Sequence, residues 1–205
     1  MKNRFITFEG IDGSGKSTQI QMLYEYLSEK NEKVLLIREP GTTSIGEKIR
    51  EILTDKKNNA MSYMTEALLF MSSRAQLVHE IIIPALKENT IVICDRFIDS
   101  SVVYQGIGRG LGKEFIENLN QAVTCNIMPD ITFFLDIKPE DVWLRKIGLE
   151  ESDRLEAESL DFHSKIYNAY KMLASKNKNR IVTIDANNTP EVMHQNIIDA
   201  INTRF

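Results

Sequence analysis

Gly10, Gly15, Lys16 and Ser17 occupy the spacing G-x-x-x-x-G-K-[ST] within FITFEGIDGSGKST at residues 5–18. Side chains of those types at that spacing suit a phosphate. Backbone N–H groups of a tight glycine loop surround its oxygens, the lysine meets the outer phosphates and the serine hydroxyl ligates magnesium. Further on, IVICDRF at residues 91–97 delivers Asp95 and Arg96 together at the tip of an apolar run. A carboxylate there can hold magnesium through its water shell while the adjacent guanidinium forks onto phosphate oxygens. The alternative is a surface ion pair at a strand end, which the neighbouring phosphate loop makes the weaker account. Arg38 and Glu39, in REPG, end a strand in the same way, yet on their own they suit slightly better a cap for the following helix, with Ser44 and Glu47 as its capping box. Phe70 and Arg74 lie four apart in EALLFMSSRAQL and so share one helical face. An aromatic ring and a guanidinium so placed can sandwich and hydrogen-bond a nucleobase, although Phe70 by itself reads as core.

These residues need elements to hold them. Phe5–Glu9 is apolar, β-branched and aromatic, and Ile20, Leu23 and Leu27 follow at helical spacing, so a strand and a helix flank the glycine loop. Strand-like runs recur at 34–38, 91–95, 131–137 and 181–185, with helical patterns between them. The runs are continuously apolar rather than alternating, as parallel strands covered by helices on both faces must be. Ligands of such sheets gather beyond the strands' carboxyl ends, which here are Glu9, Arg38, Asp95, Asp136 and Asp185. The expectation is therefore an α/β fold around a parallel sheet, in one domain over residues 1–205.

Two segments read as mobile: the polar run at 55–59, and 148–153, a glycine followed by acids. A helix from Pro139 to Gly148 precedes the second, with proline at its start and glycine at its end, and another helix resumes from Glu156 through Leu160, Ile166, Tyr170 and Leu173. A charged flap hinged between two helices suggests a lid over the phosphate loop.

The net charge of −4 argues against non-specific nucleic-acid binding, which needs a basic face. No apolar stretch approaches the roughly 18 residues of a membrane span. Cys94 and Cys125 lack metal-ligand spacing and are too few for a disulfide framework. The expectation is a soluble, cytoplasmic protein with no membrane or nucleic-acid partner.

FEGIDGSGKST, REPG, LLFMSSRAQL, DRFIDSSVVYQG, PDITFFLD and DRLE follow one another in an order and spacing that resemble the thymidylate kinase family over nearly the whole chain. The resemblance implies a P-loop fold with a five-stranded parallel sheet, a lid at about 146–156, and ATP-dependent phosphorylation of dTMP with Mg²⁺ by a homodimer. It implies ATP contacts from Gly10, Asp12, Gly13, Ser14, Gly15, Lys16, Ser17 and Thr18, with Arg145 stacked on adenine and Ser17 and Asp95 serving the metal. Asp12, Arg38 and Arg96 would face the acceptor's phosphate and sugar, and Phe70 would stack on thymine. Arg74 would read a thymine carbonyl, Ser101 and Gln105 would touch the base, and Tyr104 would crowd C2′ in favour of deoxyribose. Lys16, Asp95, Arg96 and the lid's Arg154 would carry catalysis. Thr42 stands where the family commonly has a second glycine after REPG, and Ile147 and Leu149 stand where further basic lid residues are common.

Two rivals are weighed against this. A switch GTPase would show a guanine-reading N-K-x-D stretch, and NKNR at 177–180 lacks the acid. A kinase for another nucleoside or monophosphate would share the phosphate loop but has less use for Phe70, Arg74 and Tyr104.

Overall fold

The computed structural model describes residues 4–145, 154, 155 and 157–204, side chains of 143–145 excepted. The expected lid at 146–156 therefore falls almost wholly outside the described residues, as do Lys146, Ile147, Leu149 and the Arg145 side chain.

Five strands run β1 (Phe5–Glu9), β2 (Val34–Arg38), β3 (Ile91–Asp95), β4 (Ile131–Asp136) and β5 (Ile181–Asp185). All pair in parallel, in the spatial order β2-β3-β1-β4-β5. The helices are α1 (Lys16–Glu29), α2 (Ser44–Thr54), α3 (Tyr63–Leu77), α4 (Ile83–Lys87), α5 (Ile98–Ser101), α6 (Lys113–Val123), α7 (Pro139–Arg145), α8 (Leu160–Lys176) and α9 (Pro190–Arg204). Wider, π-type turns extend α3 over Val78–Ile82 and α5 over Val102–Gly108.

The continuous apolar runs serve two cores, because successive strand residues point to opposite faces. Ile6, Phe8, Ile91 and Ile93 pack into one cluster with α1, α8 and α9. Phe5, Val92 and Cys94 enter the other with Leu77, Val78 and Ile82. Burying each such side chain fully contributes about 1.5–3 kcal/mol, so both layers hold the sheet between them.

Register then sets the site. Phe8 and Arg38 both pair level with Asp95, and Asp136 pairs level with Asp185, so the polar strand ends form one rim. From β1 the chain leaves toward β2 on one flank, and from β3 it leaves toward β4 on the other. Neighbouring strands whose connections diverge open a crevice at their carboxyl ends. The glycine loop after β1 and the Asp95–Arg96 corner after β3 line it.

Some local expectations change. Thr43, not Ser44, caps α2, its hydroxyl accepting from Gly46 N–H, while the Glu47 carboxylate accepts from Thr42 N–H and Arg38. Helix α8 begins at Leu160 rather than Glu156, because Ser159 accepts from Phe162 N–H and caps it there. Within 55–59, Lys56–Asn58 form a 3₁₀ turn, with Asp55 accepting from Lys57 N–H.

Candidate active site

The phosphate loop is built on positive φ angles at Gly10 (144°), Gly13 (85°) and Gly15 (96°), a region L side chains rarely enter. A Cβ on Gly10 would also lie 3.0 Å from the Leu135 carbonyl oxygen and from Ser14 Oγ. Gly15 leads straight into α1, so N–H groups of the helix start face the loop. Lys16 is buried, at 6% exposure, in the first turn of α1. Its Nζ donates to the carbonyls of Gly10 (3.2 Å) and Ile11 (3.0 Å). Burial first, and the Arg96 charge second, pull its pKa below the ordinary lysine value.

Beside the loop lies a cavity of about 460 Å³, lined by Lys16, Ser17, Thr18, Arg38, Asp95 and Arg96 among others. Asp95 Oδ1 is buried there without a hydrogen-bond partner among the described residues. A buried carboxylate oxygen left unpaired is costly unless a cation or its water serves it, so Asp95 and Ser17 fit a magnesium site. Among the described residues no cluster of three or more His, Cys, Asp or Glu is placed to hold a metal ion.

Arg96 takes a left-handed conformation at φ 67°. Its N–H donates to the Phe8 carbonyl, and the next N–H, of Phe97, donates to Glu9 Oε1 at 2.8 Å. This turn aims the guanidinium at Asp12 Oδ1 (2.6 Å) and Ser100 Oγ (3.2 Å). Glu9, buried at the end of β1, also accepts from Ser100 N–H, Ser100 Oγ and Tyr170 Oη. Burial, then the nearby Asp99 charge, raise its pKa to about 7.

A second cleft of about 110 Å³ adjoins the first, and Asp12, Glu39, Arg50 and Arg96 line both. Its walls bring together Phe70, Arg74, Ser101, Tyr104 and Gln105, from α3 and from α5 with its π-type extension. Phe70 is half-buried and belongs to neither core cluster, so the reading of it as core does not hold. Tyr104 is held by ring-edge contacts with Phe162 and Tyr170 and by the Arg96 guanidinium 5.5 Å from its ring centre. Its hydroxyl is buried without a partner among the described residues.

Arg74 is almost fully enclosed. Nε and Nη2 meet Glu39 Oε2, Nη2 also donates to the Phe97 carbonyl, and Nη1 donates to Ser101 Oγ (3.0 Å) and Asn120 Oδ1 (2.5 Å). All five N–H groups are thus engaged. Burial opposes the charge on Glu39 and raises its pKa, against the pull of Arg74.

Arg38 lines the phosphate cavity but pairs with Glu47 at 2.7 Å. Thr42 adopts φ 70°, a glycine-like conformation, and its Oγ1 accepts from Arg38 N–H and donates to the Arg38 carbonyl. The hydroxyl ties down the turn. Arg154 lines neither cavity. Its Nε donates to the Leu53 carbonyl (2.9 Å) and its Nη2 pairs with Glu66 (2.8 Å). Of NKNR, Asn177 bonds the Leu173 carbonyl and Arg180 pairs with Asp99, so both are occupied in structural roles. Glu39 was read with Arg38 only as a strand end or a helix cap, whereas Arg50, Glu66 and Tyr170 were not singled out as site residues from sequence. Only Glu66 carried a signal, lying one helical turn before Phe70.

The thymidylate kinase family model matches residues 8–197. The thymidylate kinase of Thermoanaerobacter sp. (strain X514) is 51% identical over 201 residues, covering 98% of each chain. That of Finegoldia magna is 49% identical over 200 residues, again covering 98% of each. The crystal structure of thymidylate kinase from Ehrlichia chaffeensis superposes with a TM-score of 0.79 at 36% identity, covering 97% of this chain and 98% of that one.

Proposed function

The chain belongs to the thymidylate kinase family and is a nucleoside monophosphate kinase, and from that premise we propose that it transfers the terminal phosphoryl group of ATP directly, in line, to the phosphate of dTMP, giving ADP and dTDP for dTTP synthesis. The observation that carries this reading is the pair of adjoining cavities, one cationic beside the glycine loop and one aromatic, with Asp12 and Arg96 at their junction.

The acceptor oxygen is already anionic near neutral pH, so no strong base is needed. Positioning and electrostatic stabilisation of the equatorial oxygens suffice. Lys16 would exchange its two loop carbonyls for phosphate oxygens, in a buried setting where its charge acts strongly. Ser17 and Asp95 would hold Mg²⁺, which when bound neutralises charge on the donor phosphates. Arg38 and Arg96 would hold the acceptor phosphate, with Asp12 against the sugar. Phe70 would stack on the base, and Tyr104 would occupy the space beside C2′. Arg74 reaches a base carbonyl by giving up one present partner. Ser101 Oγ is the easiest to surrender, because a hydroxyl rotates freely. Arg154 would have to leave Glu66 and the Leu53 carbonyl to meet the transferred phosphate.

We propose also that the single domain works as a homodimer. Ile45, Ile52, Tyr63, Met64 and Leu68 are exposed on α2 and α3, an apolar surface of the kind that subunits cover. Both cysteines are free, which supports a reducing, cytoplasmic setting. No helix among the described residues is long and apolar enough to cross a membrane.

An ADP-release assay across nucleosides and nucleoside monophosphates tests the reading. dTMP should be the preferred acceptor, and equal turnover of dCMP overturns the thymidylate assignment. Absence of turnover with every monophosphate overturns the proposed reaction itself.

A further inference from the structure

Glu66 is fully buried in α3, yet three hydrogen bonds and an ion pair converge on its carboxylate. Gln105 Nε2 donates at 2.9 Å, Arg109 through Nε (3.2 Å) and Nη2 (3.1 Å), and Arg154 Nη2 pairs at 2.8 Å. Arg109 is itself fixed by Glu158, 2.6 Å away, and lies over the rings of Tyr63 and Phe162. Burial opposes the charge on Glu66, but the hydrogen bonds from Arg109 and Gln105 outweigh it and hold the carboxyl below its ordinary pKa. Glu66 is therefore an anion at neutral pH.

An ionised carboxylate only accepts. Gln105 must then turn its nitrogen toward Glu66, and the orientation of its amide is dictated by chemistry rather than free to flip. The amide oxygen is left with no partner among the described residues, on a residue that lines the aromatic cleft. A pyrimidine with carbonyls at positions 2 and 4 carries a ring N3–H that such an oxygen accepts. Cytosine has a bare N3 lone pair, which would oppose it.

We propose that Glu66 is a positioning residue for base choice: by holding the nitrogen of Gln105 it presents the amide oxygen to the cleft as an acceptor for the N3–H of dTMP and against dCMP. The proposal rests on reading the aromatic cleft as the base site. Glu66 touches no substrate and acts through Gln105. Because Arg154 shares the same carboxylate, a change at Glu66 also affects turnover, but by the same factor for every acceptor.

Dissociation constants for dTMP and dCMP, measured by calorimetry alongside kcat/KM, test this in wild type, Glu66→Gln, Gln105→Ala and the double variant. A glutamine at 66 can donate as well as accept, so the amide of Gln105 is freed to turn. The preference for dTMP over dCMP should fall about tenfold in Glu66→Gln, the scale of one misplaced hydrogen bond. In the Gln105→Ala background the same change should leave the preference unaltered. Should Glu66→Gln not fold, the charge-balanced Glu66→Gln/Arg109→Met protein carries the same measurement. A wild type that discriminates, with Glu66→Gln discriminating equally, overturns this proposal alone, as does an equal shift in the Gln105→Ala background. A wild type that binds both alike overturns the acceptor assignment and this proposal together.

Discussion

Lys16 shows how burial separates a residue's part in chemistry from its part in folding. Its charge lies in a low-dielectric pocket that depresses its pKa, so the fold gains little from the ammonium, whereas a phosphoryl group in flight would gain much. Lys16→Ala should therefore lose at least about 10²-fold in kcat, the usual scale for one electrostatic donor, with the melting temperature little changed. Near-normal turnover would remove Lys16 from the mechanism. Glu9 presents the converse case. Its pKa is about 7 in the fold against 4.5 as a free side chain, so the folded state takes up a proton that the unfolded chain has released between those values. The stability Glu9 contributes is complete below about pH 4.5 and is lost as pH rises toward 7, by an amount on the order of a few kcal/mol. Glutamine mimics the protonated acid, so Glu9→Gln should grow more stable relative to wild type from pH 5 to pH 7.5 in urea titrations. Parallel curves over that range would contradict the assigned proton.

Among the elements, the π-type turn at Val102–Gly108 brings both Tyr104 and Gln105 to the aromatic cleft. It packs on α8 at Gly108, where an added Cβ would lie 2.7 Å from Ile166 Cδ1 and 3.1 Å from Phe162. Gly108→Ala should cost about 1–3 kcal/mol by overpacking and raise KM for the acceptor through a displaced Tyr104, with KM for ATP unchanged. Chemical denaturation with steady-state kinetics reads both. Arg154 stands just before α8 and is docked on Glu66 and the carbonyl of Leu53, at the end of α2. If its work begins only when it leaves that dock, Arg154→Ala should reduce kcat by far more than it raises KM for ATP. A rise in KM with kcat intact would make it a ground-state binder instead.

At the scale of the molecule, five strands and the polar residue ending each were legible in the sequence. Strands covered on both faces must read as unbroken apolar runs, and a change to Glu, Arg or Asp marks where cover ends. The glycine loop was legible for a similar reason, since its geometry tolerates few alternatives. What stayed hidden was pairing at a distance. Glu39 with Arg74, Glu66 with Gln105 and Arg154, and Glu9 with Tyr170 join residues 35 to 161 positions apart, and no local period records them. The burial of Lys16 was hidden too, because a lysine after glycines reads as loop, while the fold closes over it.

Cys125 is exposed in the turn between α6 and β4, whereas Cys94 is buried inside the sheet at 0% exposure. A turn that feeds the amino end of a strand lies at the opposite rim from every polar strand end. The molecule thus carries a single accessible attachment point, pointing away from its cleft. One equivalent of maleimide should react quickly, at Cys125, and leave kcat and both KM values as they were. A dye placed there would report tumbling without touching substrate, and immobilisation through that thiol would present every copy to solution with its cleft outward.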